Sequence, residues 1–290
     1  IMSKNNIFSQ MSTQFDNYDG SGWRYVNIVD NVSGFIYANP EGVTFAQHIK
    51  NFIEPYAGAH YYAQGFYTTS YQTASMTVNL SEVEIDRKNN RNGYICLGFV
   101  SGGSTYQHAD IGLGCTNNKV ENGVNRGEWR AYAWGTGIEW EWEFGEKYLF
   151  HYTDTVRVKI TITTANSKHK ITCDFYAGNS TTEVQAARCW FEKPVGQIFL
   201  AQNGQPIVRF VRFMSLVPVI GGTDSADNSY LKGVIRNLKL NDATWDYTKI
   251  QHAWSVQDDN INDLKLSILG NTSIATNADS IHIYHDTSVH

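Results

Sequence analysis

Residues Ile138-Glu139-Trp140-Glu141-Trp142-Glu143-Phe144 alternate apolar and acidic side chains without a break. In a strand, successive side chains point to opposite faces. One face of this ribbon then carries Ile138, Trp140, Trp142 and Phe144, and the other Glu139, Glu141 and Glu143. Few local conformations other than a half-buried strand accommodate that pattern.

The rest of the chain repeats the period. Met76, Val78 and Leu80 alternate, after which the register slips to Val83 and Ile85, as a bulge near Ser81-Glu82 would produce. Tyr94–Val100 is a continuous apolar run, as in a central strand. Trp129–Trp134 is a further strand. Val156–Ile162 and Ile171–Ala177 flank a turn at 165–169 and read as a hairpin. Val43–Phe52 has apolar residues at helical spacing and is the one short-helix candidate, stopped by Pro55. About a dozen strands with frequent turns and no fixed-period repeat predict an all-β, antiparallel two-sheet sandwich. The expected organisation is one domain over residues 1–290. Residues 1–22 form a loose lead-in, and residues 241–290 a C-terminal extension packed on the sandwich or a small appendage.

Composition narrows the function. The formal net charge of −5 and the absence of a basic cluster argue against nucleic-acid binding. No apolar run approaches the ~20 residues of a membrane-spanning helix. Only 18% of residues are charged, against 17 Tyr, 8 Trp and 14 Phe. With abundant Asn, Thr, Ser and Gly, that balance suits a secreted or cell-surface β protein. Cys96, Cys115, Cys173 and Cys189 form no CxxC pair, which disfavours a zinc ribbon. Free core thiols and two disulfides both remain open. Sequons at Asn31, Asn79, Asn179 and Asn271 are expected by chance in an Asn-rich chain.

The segments Asp154-Thr155-Val156-Arg157-Val158-Lys159-Ile160, Lys170-Ile171-Thr172-Cys173-Asp174-Phe175-Tyr176 and Gly233-Val234-Ile235-Arg236-Asn237-Leu238-Lys239-Leu240 carry a resemblance. In their order within residues 94–240 they resemble the concanavalin A-like lectin/glucanase superfamily. The resemblance implies a jelly roll of two antiparallel sheets, one usually concave, with sugars bound across it. Lectins, carbohydrate-binding modules, glycoside hydrolases and polysaccharide lyases share that scaffold, so fold alone does not choose among them.

Candidate residues follow from the two patterns. Laminarinase- and lichenase-type β-glucanases carry an acidic strand of form Glu-x-Asp-x-Glu. The row here is similar in spacing, which implies Glu139 as nucleophile, Glu143 as acid/base and Glu141 as central helper. It departs in its central Glu and its interleaved tryptophans. The outer pair lies ~13 Å apart along a strand, whereas retaining chemistry needs carboxyl groups ~5–5.5 Å apart. Convergence would therefore require both side chains to lean inward. An outer strand that keeps Glu in water to stay unpaired explains the same row.

Among Trp129, Tyr132, Trp134, Trp140 and Trp142, the spacing puts Arg130, Tyr132 and Trp134 on one strand face. Tyr132 and Trp134 are then the expected exposed pair for stacking on sugar rings. Asp224 and Asp227, with Asn228, offer oxygens for calcium, although an ordinary turn has the same composition. No other cofactor is implied. The expected function is glycan binding by ring stacking and hydrogen bonds, with Glu139 and Glu141 as hydroxyl acceptors. The alternatives are a glycoside hydrolase using the acidic row, or a structural, adhesive or toxin-like β protein. Oligomeric state is not legible.

Overall fold

A computed structural model describes strands between residues 25 and 285. It does not describe residues 1–24, 28–32, 38–42, 51–57, 66–71, 88–90, 101–107, 136, 144–147, 179–181, 203–204, 208, 219–228, 245–249, 258–264, 274–276 and 286–290. Side chains are described for most residues of 72–244 and for a few of 277–283. Asp224, Asp227 and the 1–22 lead-in lie outside the described residues.

The protein is almost all β. One antiparallel sheet of eight strands runs in the order β1 (Tyr25–Asn27), β2 (Ser33–Tyr37), β21 (Ile250–Gln257), β4 (Gly58–Gly65), β18 (Arg209–Pro218), β7 (Arg91–Val100), β8 (His108–Asn117) and β11 (Glu128–Gly135). The larger sheet runs β12 (Glu141–Glu143), β15 (Glu183–Pro194), β14 (Lys168–Gly178), β13 (Thr155–Ala165), β5 (Thr73–Asn79), β19 (Tyr230–Leu240), β23 (Ala278–His285), β22 (Lys265–Ser273) and β3 (Val43–Lys50). β6 (Glu84–Asp86) and β20 (Ala243–Thr244) also pair with β19. Two small hairpins, β9–β10 (Val120–Glu121, Val124–Asn125) and β16–β17 (Leu200–Gln202, Gln205–Ile207), complete the set among the described residues.

The alternating residues of both sheets meet in one core. Ile95, Leu97 and Phe99 of β7, with Ile111 and Leu113 of β8, face Val156, Val158 and Ile160 of β13 and Cys173 and Phe175 of β14 in one buried cluster. Phe99 and Phe191 span the two sheets, with ring centroids 6.3 Å apart. Each core side chain of this size removed from water contributes roughly 1.5–3 kcal/mol. All four cysteines are buried free thiols. Burial pushes the Cys115 thiol up to about 11.

Two sequence expectations change here. Val43–Lys50 is a strand paired along its length with β22, not a helix. Val43, Phe45 and Ile49 satisfy a period of two as well as one of 3.6, and β-branched residues favour the strand once a partner edge exists. The only helical turn among the described residues is the 3₁₀ turn Leu80–Glu82. It replaces the expected bulge: residues three apart share a side in 3₁₀ geometry, so Leu80 and Val83 are both buried. The Asn79 carboxamide oxygen accepts from the Ser81 backbone N–H at 3.1 Å and caps this turn. Residues 241–290, whose place the sequence left open, supply β21, β22 and β23 to the two main sheets. β22 and β23 pair with each other, but their outer partners β3 and β19, and the partners of β21, lie far away in sequence, beyond the reach of local pattern.

The predicted hairpin is present. β13 and β14 pair from Thr155↔Gly178 to Ala165↔Lys168 around the two-residue turn Asn166-Ser167. Both turn residues have positive φ, 50° and 60°. That is the primed turn whose twist matches its strands, and Asn tolerates it. Asn122-Gly123 and Asn241-Asp242 repeat the device.

His169 is fully buried beside Phe199, its Nδ1 2.8 Å from Thr164 Oγ1. Burial holds its pKa below the ordinary 6.5. The unfolded chain therefore takes up this proton at a higher pH than the folded one. The histidine's share of stability is complete above about pH 6.5 and is lost as the pH falls below it. Urea unfolding is expected to show stability declining from about pH 7 to about pH 5, and His169→Phe to flatten that slope. An unchanged slope in the variant would refute the assignment.

Candidate functional site

The acidic ribbon sits on the edge of the larger sheet. β12 ladders with β15 for three residues only: Glu141↔Trp190, Trp142↔Cys189 and Glu143↔Arg188. Its inward side packs as the alternation predicts. Trp142 stacks on Phe175 at 6.1 Å, and Trp140 meets Phe191 edge-on at 4.8 Å. Glu139, Glu141 and Glu143 are exposed.

Before Glu141 the ribbon leaves its ladder with β15. A cleft of about 540 Å³ opens where pairing stops. Gly137, Ile138, Glu139 and Glu141 line one side, and Trp190, Phe191, Glu192 and Lys193 of β15 the other. Glu143 is not among the lining residues. It lies opposite Arg188, whose Nε donates to Asp174 Oδ1 at 2.6 Å. Asp174, itself buried, also accepts from Gln185 at 2.6 Å. The hydrogen bond donated to Asp174 raises the Arg188 pKa, and the charges of Asp174 and Glu143 add to that effect.

Charge pairing sets the ribbon apart. Glu82 pairs with Arg236, Glu84 with Lys232, Glu121 with Lys119, Glu128 with Arg130, Glu183 with Arg157 and Glu192 with Lys168, all within 4 Å. Glu139, Glu141 and Glu143 are the only glutamates among the described residues without such a basic partner. The Glu82/Glu84 row thus serves cross-strand pairing with β19. In the cleft, two carboxylates keep their acceptor capacity beside an indole. Trp190 carries the Lys170 ammonium 5.3 Å from its ring centroid, within cation–π range.

Arg130, Tyr132 and Trp134 lie on β11, at the edge of the other sheet, and none of them lines the cleft. Their strand alternates as expected, with Trp129 and Ala131 buried and Trp134 43% exposed. Tyr132, expected to be exposed, is half-buried. Its ring tilts against Tyr94 at 4.8 Å and covers Gly114, where a side chain would meet it at 3.4 Å. Burial, with Asp110 nearby, drives its hydroxyl pKa far upward. Of the expected pair, Trp134 alone keeps an exposed ring. Arg130 is 3.9 Å from Glu128. No group of three or more His, Cys, Asp or Glu that could hold a metal occurs among the described residues. The calcium candidates Asp224 and Asp227 lie outside them.

The sequence reading missed Trp190, Glu192 and Lys193. Ala187, Cys189 and Phe191 alternate inward against Arg188, Trp190 and Glu192, which is the same signal as in the ribbon. A register shift hides it: Phe175 pairs with Ala187 but Tyr176 with Gln185, so Ala186 is an extra residue and both alanines are buried.

No protein-family model matches the chain, and neither does any curated protein sequence.

Proposed function

We propose that this protein is a carbohydrate-binding β-sandwich, a jelly roll of the concanavalin A-like kind, that holds a glycan without covalent chemistry in the cleft between the acidic ribbon and β15. The observation that carries this reading is the pairing of unpartnered Glu139 and Glu141 with Trp190 on the walls of one cleft. Sugars present C–H faces to aromatic rings and hydroxyl donors to carboxylates, and a cleft of this volume matches an ordinary small-ligand site. Binding is favoured over hydrolysis because the nucleophile–acid/base pair of the glucanase comparison, Glu139 and Glu143, is divided: only the first lines the cleft. Trp134, exposed on the other sheet, would serve as an accessory stacking surface.

A glycan array on the purified chain tests this. Binding without release of reducing ends is expected, and Trp190→Ala should weaken it by about tenfold or more, since a buried stacking ring contributes at least 1 kcal/mol or so. Trp134→Ala should reduce it less. Hydrolysis of the bound glycan that Glu139→Gln abolishes would replace this reading with the enzymatic one. Silence across the array would refute both.

A further inference from the structure

Resting on the carbohydrate reading just given, we infer that the ligand is an oligosaccharide bearing free amines, laid along the ribbon with its ammonium groups against Glu139 and Glu141. The first reason is the uncompensated charge. Every other described glutamate has a cation within 4 Å, while the ribbon row has none among the described residues. Carboxylates in a row repel one another, and a ligand ammonium relieves that repulsion where a neutral hydroxyl leaves it in place.

The second reason is spacing. Glu139 and Glu141 stand two residues apart along the ribbon, Glu139 just before β12 and Glu141 at its start, and the ribbon acids form no metal-holding cluster with other described residues. One small cation is not what this row fits. A chain with separated positive groups is.

The third reason comes from the opposite wall. Trp190 already draws an ammonium, that of Lys170, toward its ring. The protein supplies there the kind of group the ligand would bring. Among the charged lining residues, Glu139, Glu141 and Glu192 outnumber Lys193, so uronic or sulfated sugars would enter against like charge.

The test is titration calorimetry of the full chain with glucosamine oligosaccharides and with their N-acetylated counterparts, at about pH 6, where the glutamates are ionised and the amines protonated. The two ligands share rings and differ in charge. The free amines are expected to bind about tenfold more tightly, with an affinity that falls as salt is added. Glu139→Gln and Glu141→Gln should each erase most of that preference, weakening the amine form far more than the N-acetylated form, which loses only a hydroxyl contact. Lys170→Ala should strengthen binding of the amine form by removing a competing cation. Circular dichroism checks that each variant is folded, and exposed Glu→Gln changes on a strand face are tolerated by the fold.

Equal binding of the two forms would overturn the amine assignment and leave the carbohydrate reading standing. Failure of every sugar would instead remove the reading itself. Binding of oligolysine with the same glutamate dependence, alongside silence from amino sugars, would overturn the proposal in favour of a basic peptide.

Discussion

Trp129→Ala is expected to cost about 3–5 kcal/mol of folding stability, read as a lower urea midpoint and a melting temperature reduced by roughly 10 °C. Trp129 is fully buried at the start of β11, where the strand delivers its largest side chain to the shared core. Its indole N–H donates to the Arg126 carbonyl at 2.7 Å, so the ring is fixed by a hydrogen bond as well as by packing. Around it the chain has made room. A side chain at Gly93 would approach the ring to 3.3 Å, and one at Gly127 would reach the indole nitrogen at the same distance. Truncation leaves a cavity that these glycines cannot fill and strands the Arg126 carbonyl. Trp129→Phe should recover a large part of the loss by restoring volume without the hydrogen bond. A cost below about 1 kcal/mol for the alanine variant would mean that β11 is not anchored as described.

Gly112→Val is expected to be as damaging for the opposite reason. Gly112 is at the centre of β8, paired with Cys96 of β7 on one side and Tyr132 of β11 on the other. A Cβ there would collide with the Ile95 carbonyl oxygen and stand 2.7 Å from the Cys96 Cα. Both are backbone atoms, which cannot rotate away as a side chain can. Overpacking usually costs about 1–3 kcal/mol. With backbone in the way, the expected loss is at the upper end or beyond, with separation of β7 from β8 as the route of relief. Gly123→Ala is the control. Nothing lies within 4 Å of that position, and only its φ of 78° opposes a side chain, so about 1 kcal/mol is expected. If the two glycines prove equally tolerant, close approach of the strands is not what Gly112 provides.

The orientation of the ribbon was legible because alternation settles it, whereas the strand expected over residues 138–144 is limited to Glu141–Glu143 among the described residues. Trp140 and Trp142 go inward and the glutamates outward whichever strand lies beside them. The β13–β14 hairpin was legible for a related reason, since Asn166-Ser167 supplies the turn and the flanking alternation supplies the register. β3 was misread because Val43–Lys50 satisfies two periods at once, and only its partner β22 decides between them. The site was half legible. Glu139 and Glu141 could be named from their row, but Trp190 was hidden behind the extra residue Ala186 in β15. Arg130, Tyr132 and Trp134 were correctly placed on one strand. Local sequence could not report that Tyr94 and Gly114 would receive the Tyr132 ring, because those residues lie on neighbouring strands.

From sequence alone came the all-β class, the inward and outward faces of the ribbon and of β11, and the turns made by asparagine. Each depends on a residue and its immediate neighbours. Tertiary structure alone decided which acids would be neutralised and which left bare, since every partnering cation but those of Glu121 and Glu128 arrives from a distant point in the chain. It also decided that pairing between β12 and β15 would stop at Glu141. A cleft exists there because two strands part company, and no single strand encodes where its partner leaves it.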